Sequence, residues 1–242
     1  MRYIVSDIHG CYKEYRELLD KIRFSGADEL YVLGDAMDRG PEPMKVILDM
    51  MMRPNVTYII GNHDYIMLTV LGRLAVDITE ENLGNLRTED LLLYSDWIMD
   101  GGELTAKQFR ALSRTEQQEV LDYVSEALTY AVLRDGEKEY VLVHAGIGGF
   151  EESRELDDYE FWDFLYERAD YGRRYYRDPN KFLVTGHTPT PLIRQDGKSE
   201  IYREHGHIAI DCGCVFGGNL AAYCIESGEV TYVKGRKNFP AR

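Results

Sequence analysis

The sequence contains few cysteines and no long hydrophobic run. Among its 242 residues are four cysteines, too few and too widely spaced for a fold held together by disulfides. No apolar stretch approaches the roughly 18 residues that cross a bilayer. The start of the chain also runs directly into Ser6 and Asp7, without the apolar region of a secretory leader. We therefore expect a cytoplasmic protein with reduced thiols and no membrane partner.

Basic residues are scarce relative to acidic ones. Lysine and arginine together number 28 against 42 aspartates and glutamates, which gives a formal net charge of −14. Such a surface repels the phosphate backbone of nucleic acids, so nucleic acid is not expected as a partner. A smaller phosphate-bearing substrate would have to be bound by local positive charge, which metal ions and a few arginines could supply.

The closest pair of cysteines, Cys212 and Cys214, has the C-x-C spacing that suggests a thiolate metal site. The two other cysteines, Cys11 and Cys224, do not supply matching ligands. On a strand, side chains two residues apart simply share one face. We therefore interpret the pair as structural.

Short apolar segments recur along the chain and indicate strands buried on both faces. They are rich in β-branched and aromatic side chains and do not alternate with polar residues. Helices are predicted between the first three of them, at residues 12–22 and 43–53. This alternation of strands and helices predicts an α/β fold with right-handed crossovers. The strand segments are residues 3–5, 30–33, 57–60, 140–143, 182–185 and 208–210.

The pattern becomes helical between about residues 65 and 128. Residues 89–99 and 115–128 carry apolar side chains at three- and four-residue spacing, and Thr115 begins an acceptable helix cap. We interpret this region as a helical insertion that caps the core of a single domain, residues 1–242. A hairpin is predicted around residues 226–229, near the end of the chain.

Polar side chains capable of chemistry follow the predicted strands. Ligands gather beyond the carboxyl ends of strands in open α/β sheets, so we expect these side chains to meet at one rim. Carboxylate, imidazole and amide groups together suit manganese, iron or zinc and require no thiolate. Two metal ions about 4 Å apart are usual in phosphoryl displacement, and Asp35 is best placed to bridge them. The six candidate ligands are Asp7, His9, Asp35, Asn62, His144 and His187.

Each of these motifs, taken alone, has an ordinary structural explanation. A Gly-Asp pair after a strand is usually a turn, and Asn62 with His63 could begin a capped helix. A single histidine after a strand more often bonds within a core. Five such motifs in a coherent order favour function. His205 and His207 remain open as alternative ligands, although a surface position is the simpler expectation.

The five motifs together identify a family. They are Asp-Ile-His-Gly at 7–10, Gly-Asp-Ala-Met-Asp-Arg-Gly at 34–40, Gly-Asn-His-Asp at 61–64, His-Ala-Gly at 144–146 and Gly-His-Thr at 186–188. In this order they resemble the calcineurin-like metallophosphoesterases. The closest likeness is to the serine/threonine phosphoprotein phosphatase branch, which includes bacterial symmetrical diadenosine tetraphosphatases. The resemblance runs from residue 1 to about 235 and is weakest in the helical region.

The resemblance implies a four-layer sandwich, in which two mixed β-sheets are packed face to face and flanked by helices. It also implies two divalent metal ions, with manganese expected first and iron or zinc as alternatives. Asp35 would be shared between the metals, and a hydroxide between them would attack phosphorus. One metal would be held by Asp7, His9 and Asp35, and the other by Asp35, Asn62, His144 and His187.

The resemblance also implies roles for side chains that do not bind metal. His63 would protonate the leaving oxygen, and Asp38 would hold its imidazole in position. Arg39 would bind the phosphate, and Arg168 would be a second phosphate ligand, with Arg173 and Arg174 as rivals. A solvated helical position is the alternative for Arg168. Asp64 stands where most relatives have glutamate, a change next to the ligand Asn62 that could retune metal binding without abolishing it.

Three functions are compatible with these features. The leading interpretation is a metal-dependent phosphatase acting on phosphomonoesters, including phosphoserine, phosphothreonine or phosphotyrosine in proteins. The alternative is a symmetrical dinucleoside polyphosphate hydrolase, for which the tyrosine- and arginine-rich tract 166–177 could stack a base and bind further phosphates. That tract could equally be a packed helix end. A catalytically dead binding module is the third option, and the complete set of ligands argues against it.

Overall fold

The computed structural model of the protein describes residues 1–74 and 88–237. Part of the predicted helical insertion, residues 75–87, lies outside the described residues. The described chain contains two five-stranded sheets. The strands are β1 (Arg2–Val5), β2 (Glu29–Leu33), β3 (Val56–Ile59), β4 (Tyr130–Asp135), β5 (Lys138–Val143), β6 (Lys181–Thr185), β7 (Tyr202–Glu204), β8 (His207–Ala209), β9 (Asn219–Cys224) and β10 (Val230–Lys234).

Each sheet has a parallel centre and antiparallel edges. The first sheet has the order β10-β9-β1-β2-β3, in which β1, β2 and β3 are parallel and β9 runs antiparallel to β1. The second has the order β4-β5-β6-β8-β7, in which β5, β6 and β8 are parallel. All six predicted strands are therefore present, and they form the parallel part of the two sheets. The predicted hairpin is the antiparallel pair β9–β10.

Seven α-helices occur in the described ranges, and none of them is both long and apolar enough to cross a membrane. The helices predicted at residues 12–22 and 43–53 are α1 and α2. The α1 helix buries Leu18 and Leu19 and leaves charged side chains on its other face. Pro43 occupies the first turn of α2, where its missing N–H costs nothing. The helices are α1 (Tyr12–Lys21), α2 (Pro43–Met51), α3 (Asn62–Leu74), α4 (Thr88–Trp97), α5 (Glu103–Arg110), α6 (Arg114–Ser125) and α7 (Phe161–Leu165).

Four layers result from the packing of the two sheets. Between the sheets, Ile4 and Leu33 of the first pack with Leu142 and Val184 of the second. The outer face of the first sheet is covered by α1, α2 and the insertion helices. The outer face of the second sheet packs against α7 and the irregular chain around Tyr175. The predicted four-layer sandwich is confirmed, with one outer layer made mostly of irregular chain.

The insertion helices α4, α5 and α6 continue the helical layer of the first sheet. Trp97, Phe109 and Val120 share one hydrophobic cluster with Ile47 of α2 and Met67 of α3. This packing agrees with an insertion that caps the core, and the assignment of residues 1–242 to one domain stays a prediction. The helix predicted at 115–128 is α6, but its cap lies two residues earlier. There Ser113 and Glu116 form a capping box.

The carboxyl ends of the parallel strands are tied together by backbone hydrogen bonds. Asp7 N, after β1, donates to Gly34 O after β2 at 3.1 Å. In the second sheet, Gly186 N, after β6, donates to His144 O after β5 at 2.8 Å. The residues that follow the strands in both sheets therefore occupy one rigid rim.

Candidate metal centre and active site

Four of the predicted ligands fall into two clusters at this rim. The donor atoms of His9, Asp35 and His63 lie within 4.8 Å of one another, and so do those of Asp35, His144 and His187. The first cluster contains His63, the predicted acid, and does not contain the predicted ligand Asp7. Asp35 is common to both groups, as expected of a carboxylate shared by two metals. These two clusters lie in the described part of the chain, one on each side of Asp35.

The histidine tautomers show that the site fits a cation. His144 Nδ1 donates to Leu33 O at 2.8 Å, so its Nε2 carries a lone pair. That lone pair faces Asn62 Oδ1, another acceptor, at 3.0 Å. Similarly, His9 Nδ1 donates to Met37 O at 2.8 Å, so Nε2 is an acceptor, 3.6 Å from a carboxylate oxygen of Asp35. Without a metal, the guanidinium of Arg39 donates to this nitrogen at 2.8 Å. Acceptors that face each other are stabilised by a cation bound between them.

Buried negative charge also favours cations at this position. Burial raises the pKa of Asp7 well above its usual value, and the charges of Asp211 and Asp35 raise it further. Burial likewise raises the pKa of Asp211 to about 7. For Asp35, burial acts in the same direction, but the surrounding histidines, His144 first, hold its pKa below the usual range. The rim therefore holds more carboxylate than its histidines neutralise.

The imidazoles are kept neutral, as metal ligands must be. Burial lowers the pKa of His187 to about 3, with a further contribution from His144. Burial and the nearby guanidinium of Arg39 together lower the pKa of His9. Both rings therefore keep a lone pair available at neutral pH.

The backbone at the site has an unusual conformation. Of the eight non-glycine residues with positive φ in the described chain, six are predicted site residues. Left-handed backbone costs a non-glycine residue energy, so its concentration here indicates a function that demands it. The six are Asp7, His9, Asp35, Asp38, Arg39 and His187.

Gly61 allows the ligand loops to approach each other. A Cβ atom at this position would lie 2.2 Å from Asp35 Oδ1, far closer than van der Waals contact. Asp64 ties the same loops together, since its carboxylate accepts from the backbone N–H groups of Asp35 (2.7 Å), Gly61 (3.0 Å) and Ala36 (3.1 Å). A glutamate would have to place its longer side chain differently to make these bonds. Asp64 therefore fixes the backbone position of Asp35, the predicted bridging ligand.

His63 and Asp38 form a buried pair. His63 Nδ1 lies 2.9 Å from Asp38 Oδ2, which makes Nδ1 the donor and directs Nε2 toward the cavity. Burial lowers the pKa of His63, but the charge of Asp35 and the hydrogen bond to Asp38 outweigh it, so the pKa is raised overall. The guanidinium Nη2 of Arg39, 2.6 Å from Nε2, acts in the opposite direction. The geometry matches that of an acid oriented by a carboxylate.

Arg39 lies at the centre of the site. Its Nη1 is 2.8 Å from His9 Nε2, and Nη2 contacts His63. The buried Nε has no hydrogen-bond partner among the described residues, so one donor remains for an anion. Binding of a metal by His9 through Nε2 would require the guanidinium to move away from that nitrogen.

Arg168 is the predicted second arginine that the structure brings to the site. It lines the same cavity as Asp35 and His187, from an irregular segment after α7 instead of from a helix. Its rivals are engaged elsewhere, since Arg173 lies over the ring of Tyr175 and Arg174 contacts Asp178 O. The assignment of Arg168 as a phosphate ligand stays a prediction.

The tyrosine-rich tract does not form a base-binding surface at this cavity. Of residues 166–177, only Arg168 lines it. Tyr175 and Tyr176 instead pack beneath the second sheet, next to Phe150. Tyr175 and Tyr176 therefore pack as the alternative explanation expected, but in irregular chain and not at a helix end.

His207 and the cysteines also have structural positions. His207 is buried, bonded through Nε2 to Thr185 Oγ1 at 2.9 Å and stacked on Tyr171, so its expected surface position is wrong. His205 is exposed, as expected. The four cysteines are buried, and none of them forms a disulfide within the described chain. Cys212 and Cys214 lie in different hydrophobic clusters, so the C-x-C pair presents no shared face.

Sequence reasoning missed four residues at the site. Asp211 followed a predicted strand, and that position was the one signal that could have identified it. Asp100 lines the cavity from the insertion, with a carboxylate oxygen 3.5 Å from His63 Nε2. Trp97 and Thr105, also from the insertion, bond to Asp38. No motif in the sequence marked these last three.

The cavity has a volume of about 450 Å³ and a mixed lining. Its polar lining includes Asp35, His63 and Arg168. Its apolar lining includes Pro189, Pro191, Leu192 and Phe216.

The sequence of the chain is similar to those of known proteins. Residues 3–233 match the calcineurin-like phosphoesterase family. The asymmetrical bis(5'-nucleosyl)-tetraphosphatase PrpE of Geobacillus thermodenitrificans is 29% identical, over 98% of this chain and 94% of its own. The symmetrical bis(5'-nucleosyl)-tetraphosphatase of Erwinia tasmaniensis is 36% identical, but over only 36% of this chain and 33% of its own.

Solved structures share the fold. The crystal structure of a presumed diadenosine tetraphosphatase has a TM-score of 0.65 at 21% identity, over 98% of this chain and 94% of that one. A protein serine/threonine phosphatase from Saccharomyces cerevisiae has a TM-score of 0.54 at 12% identity, over 100% of this chain and 80% of that one. The family match covers nearly the whole chain, and the solved structures share its fold. The chain therefore belongs to the calcineurin-like phosphoesterase family and is a hydrolase of phosphoester bonds.

Proposed function

We propose that the protein hydrolyses dinucleoside polyphosphates at a dinuclear metal centre. Relatives similar over nearly the full length carry the name bis(5'-nucleosyl)-tetraphosphatase. Two solved phosphoprotein phosphatases that the chain resembles are 12% and 15% identical to it, a likeness that reflects the fold alone. The comparisons therefore favour the alternative of the sequence analysis over its leading interpretation.

The observation that carries this proposal is the mixed polar and apolar lining of the cavity. A phosphoryl group needs the polar groups alone, whereas a nucleotide also offers a flat apolar base. The apolar lining supplies the ring of Phe216 and the side chain of Leu192, which is 73% exposed although it is large and aliphatic. Exposed apolar surface beside polar groups that converge is characteristic of a ligand site.

The side chains have separate roles in this proposal. The metal ions, when bound, supply an activated water and neutralise charge on the phosphoryl oxygens. They would be held by Asp7, His9, Asp35, Asn62, His144 and His187. Arg39 and Arg168 bind phosphate oxygens of the polyphosphate chain. Arg39 does so through its buried Nε–H after leaving His9, and Arg168 does so from the cavity wall. Once Arg39 has also left His63 Nε2, the protonated His63 ring donates its Nε2 proton to the leaving phosphate oxygen, while Asp38 accepts from Nδ1 and holds the ring.

The test is a comparison of substrates. Chelator-stripped protein reloaded with Mn²⁺ is assayed with diadenosine tetraphosphate, with a phosphopeptide and with p-nitrophenyl phosphate. We expect kcat/KM for the dinucleotide to exceed that for the phosphopeptide by about 100-fold or more, a difference of roughly 2.7 kcal/mol in transition-state binding. The products are expected to be AMP and ATP, because the long relatives carry the asymmetrical name. Equal or greater turnover of the phosphopeptide would refute the proposal.

A variant pair tests the apolar lining. Leu192→Ser should raise KM for the dinucleotide more than KM for p-nitrophenyl phosphate, since only the dinucleotide reaches the apolar surface. Met52→Ser is the matched control, because Met52 is also an exposed apolar residue (84%) and does not line the cavity. Parallel changes in both KM values would place the base elsewhere.

A further inference from the structure

The carboxylate of Asp38 is held by the helical insertion as well as by His63. Trp97 Nε1–H donates to Asp38 Oδ2 at 2.8 Å, and Thr105 Oγ1–H donates to Asp38 Oδ1 at 2.6 Å. The side chains of these four residues are all almost fully excluded from solvent. One carboxylate therefore receives three donors, two of which come from a region that the family motifs do not include.

These bonds fix the direction in which Asp38 points. The Thr105 hydroxyl also accepts from the backbone N–H of Asp38 at 3.1 Å, so a single oxygen restrains both the main chain and the carboxylate. Oδ2 is shared between Trp97 and His63 Nδ1–H. With both oxygens occupied, the carboxylate cannot rotate without losing a buried hydrogen bond.

Two adjacent glycines allow the insertion to come this close. Gly101 O accepts from Arg39 N at 2.9 Å, and a Cβ at Gly101, whose φ is 109°, would lie 2.7 Å from Arg39 Cγ. A Cβ at Gly102 would lie 2.3 Å from the indole of Trp97. The kink at Gly101, within Ile98–Gly102, thus places Trp97 and Thr105 where both contact Asp38.

We propose that Trp97 and Thr105 are positioning residues for the general acid, acting on His63 through Asp38. The insertion thereby completes the active site that the strand-end motifs begin. Neither residue touches substrate or metal. Their effect is to hold Asp38 where its bond to Nδ1 keeps Nε2 directed at the leaving oxygen. The inference rests on the role assigned to His63 in the proposed function.

A series of leaving groups distinguishes positioning of an acid from general support of the fold. An aryl phosphate with a poor leaving group, such as phenyl phosphate, needs protonation, whereas 2,4-dinitrophenyl phosphate departs without it. In Trp97→Phe and Thr105→Val we expect kcat for phenyl phosphate to fall about 10- to 100-fold. For the dinitrophenyl ester, kcat should stay within about threefold, and KM and bound metal per chain should match the wild type.

Two further variants serve as controls. Thr105→Ser keeps the hydroxyl and should restore most of the activity lost in Thr105→Val. Trp162→Phe removes an indole from an exposed residue outside the site and should behave as the wild type with both esters. The melting temperature of each variant, measured in parallel, identifies any that fail to fold.

A spectroscopic measurement tests the same inference without turnover. In the wild type, the His63 Nδ1 proton should give a downfield resonance because it is bonded to a buried carboxylate. The resonance should shift or broaden in Trp97→Phe and Thr105→Val, and persist in Trp162→Phe. An unchanged resonance, or an equal loss of kcat for both esters, would overturn the inference. A wild type that cleaves aryl esters but no dinucleotide would refute the proposed function alone.

Discussion

The two ring nitrogens of His63 lie in different surroundings. Nδ1 is committed to Asp38, while Nε2 faces the cavity. His63→Asn should retain both metals, because the predicted ligand set is complete without it, and should lose about 10²- to 10⁴-fold in kcat. Metal analysis and a dinucleotide assay on the same sample check this. Loss of metal in proportion to activity would make His63 a ligand instead of an acid.

His207 gives a prediction of pH dependence away from the metal centre. Burial lowers its pKa to about 3, below the value of about 6.5 expected in the unfolded chain. Below pH 6.5 the unfolded chain therefore binds a proton that the folded chain does not bind. The free energy of unfolding decreases as the pH is lowered from 6.5 to about 3. At pH 5 the loss from this residue is about 2 kcal/mol.

Urea unfolding at pH 7 and pH 5 measures this difference. His207→Phe should lose less stability between the two pH values than the wild type, because its buried ring binds no proton. His205→Phe, at an exposed histidine two residues away, is the matched control and should keep the wild-type dependence. If His207→Phe also kept the wild-type dependence of stability on pH, protonation of His207 would not be the cause of that dependence.

At the residue scale, the sequence predicted side chains whose chemistry is tied to a strand end. Asp35 and His144 follow buried apolar segments, and the parallel topology then brings them together. Trp97 and Thr105 could not be found in this way. Each is an ordinary residue of a helical region, and its contact with Asp38 depends on how the insertion packs. A side chain that acts through packing leaves no local pattern in the sequence.

Among the elements, the kink between α4 and α5 leads to a distinct prediction. Gly102→Ala should displace the indole of Trp97 and reduce kcat for substrates with poor leaving groups, because the added Cβ would overlap the ring. Gly72→Ala is the control, since nothing lies within 4 Å of a Cβ there. Gly72 lies in helix α3, where alanine is favoured by about 1 kcal/mol. We therefore expect Gly102→Ala to have a lower kcat and Gly72→Ala to be more stable than the wild type.

Melting temperature and kcat measured on both variants provide the check. Gly102→Ala with normal kcat for phenyl phosphate would mean that Trp97 can shift without disturbing Asp38. Conversely, a loss in Gly72→Ala would indicate that alanine substitutions in the helical layer act generally.

At the level of elements, the sequence predicted the parallel strands and missed the shorter elements. The parallel strands are apolar because both of their faces are buried, so their composition identifies them. Helix α7 has only five residues, and strand β7 has three, too short for a periodic pattern. The fourth layer is mostly irregular, and its position depends on tyrosines packing against the second sheet.

The whole molecule should depend on metal for stability as well as for activity. Asp7, Asp35, Asp64 and Asp211 bury their carboxylates near one another, and without cations they repel. A ligand present at 100 times its Kd contributes about 2.7 kcal/mol, which raises Tm by roughly 5–10 °C in a chain of this size. Mn²⁺ should produce such a rise in chelator-stripped protein.

Differential scanning calorimetry with and without Mn²⁺ measures this rise. Asp35→Asn should abolish most of it, because it removes the ligand that both metals would share. If Tm were insensitive to every divalent ion tried, the clusters at the rim would not be metal sites. A rise that Asp35→Asn leaves intact would place the metal elsewhere.

The position of β9 in the first sheet has a consequence for synthesis of the protein. This strand comes from the last quarter of the sequence, yet it lies beside β1, the first strand. A growing chain on the ribosome therefore holds β1 with an unpaired edge until residues 219–224 emerge. During that interval the edge can pair with other chains. Ribosome-associated chaperones can shield such an edge. In this topology they would be needed for longer than in a sheet whose neighbouring strands are consecutive in the sequence.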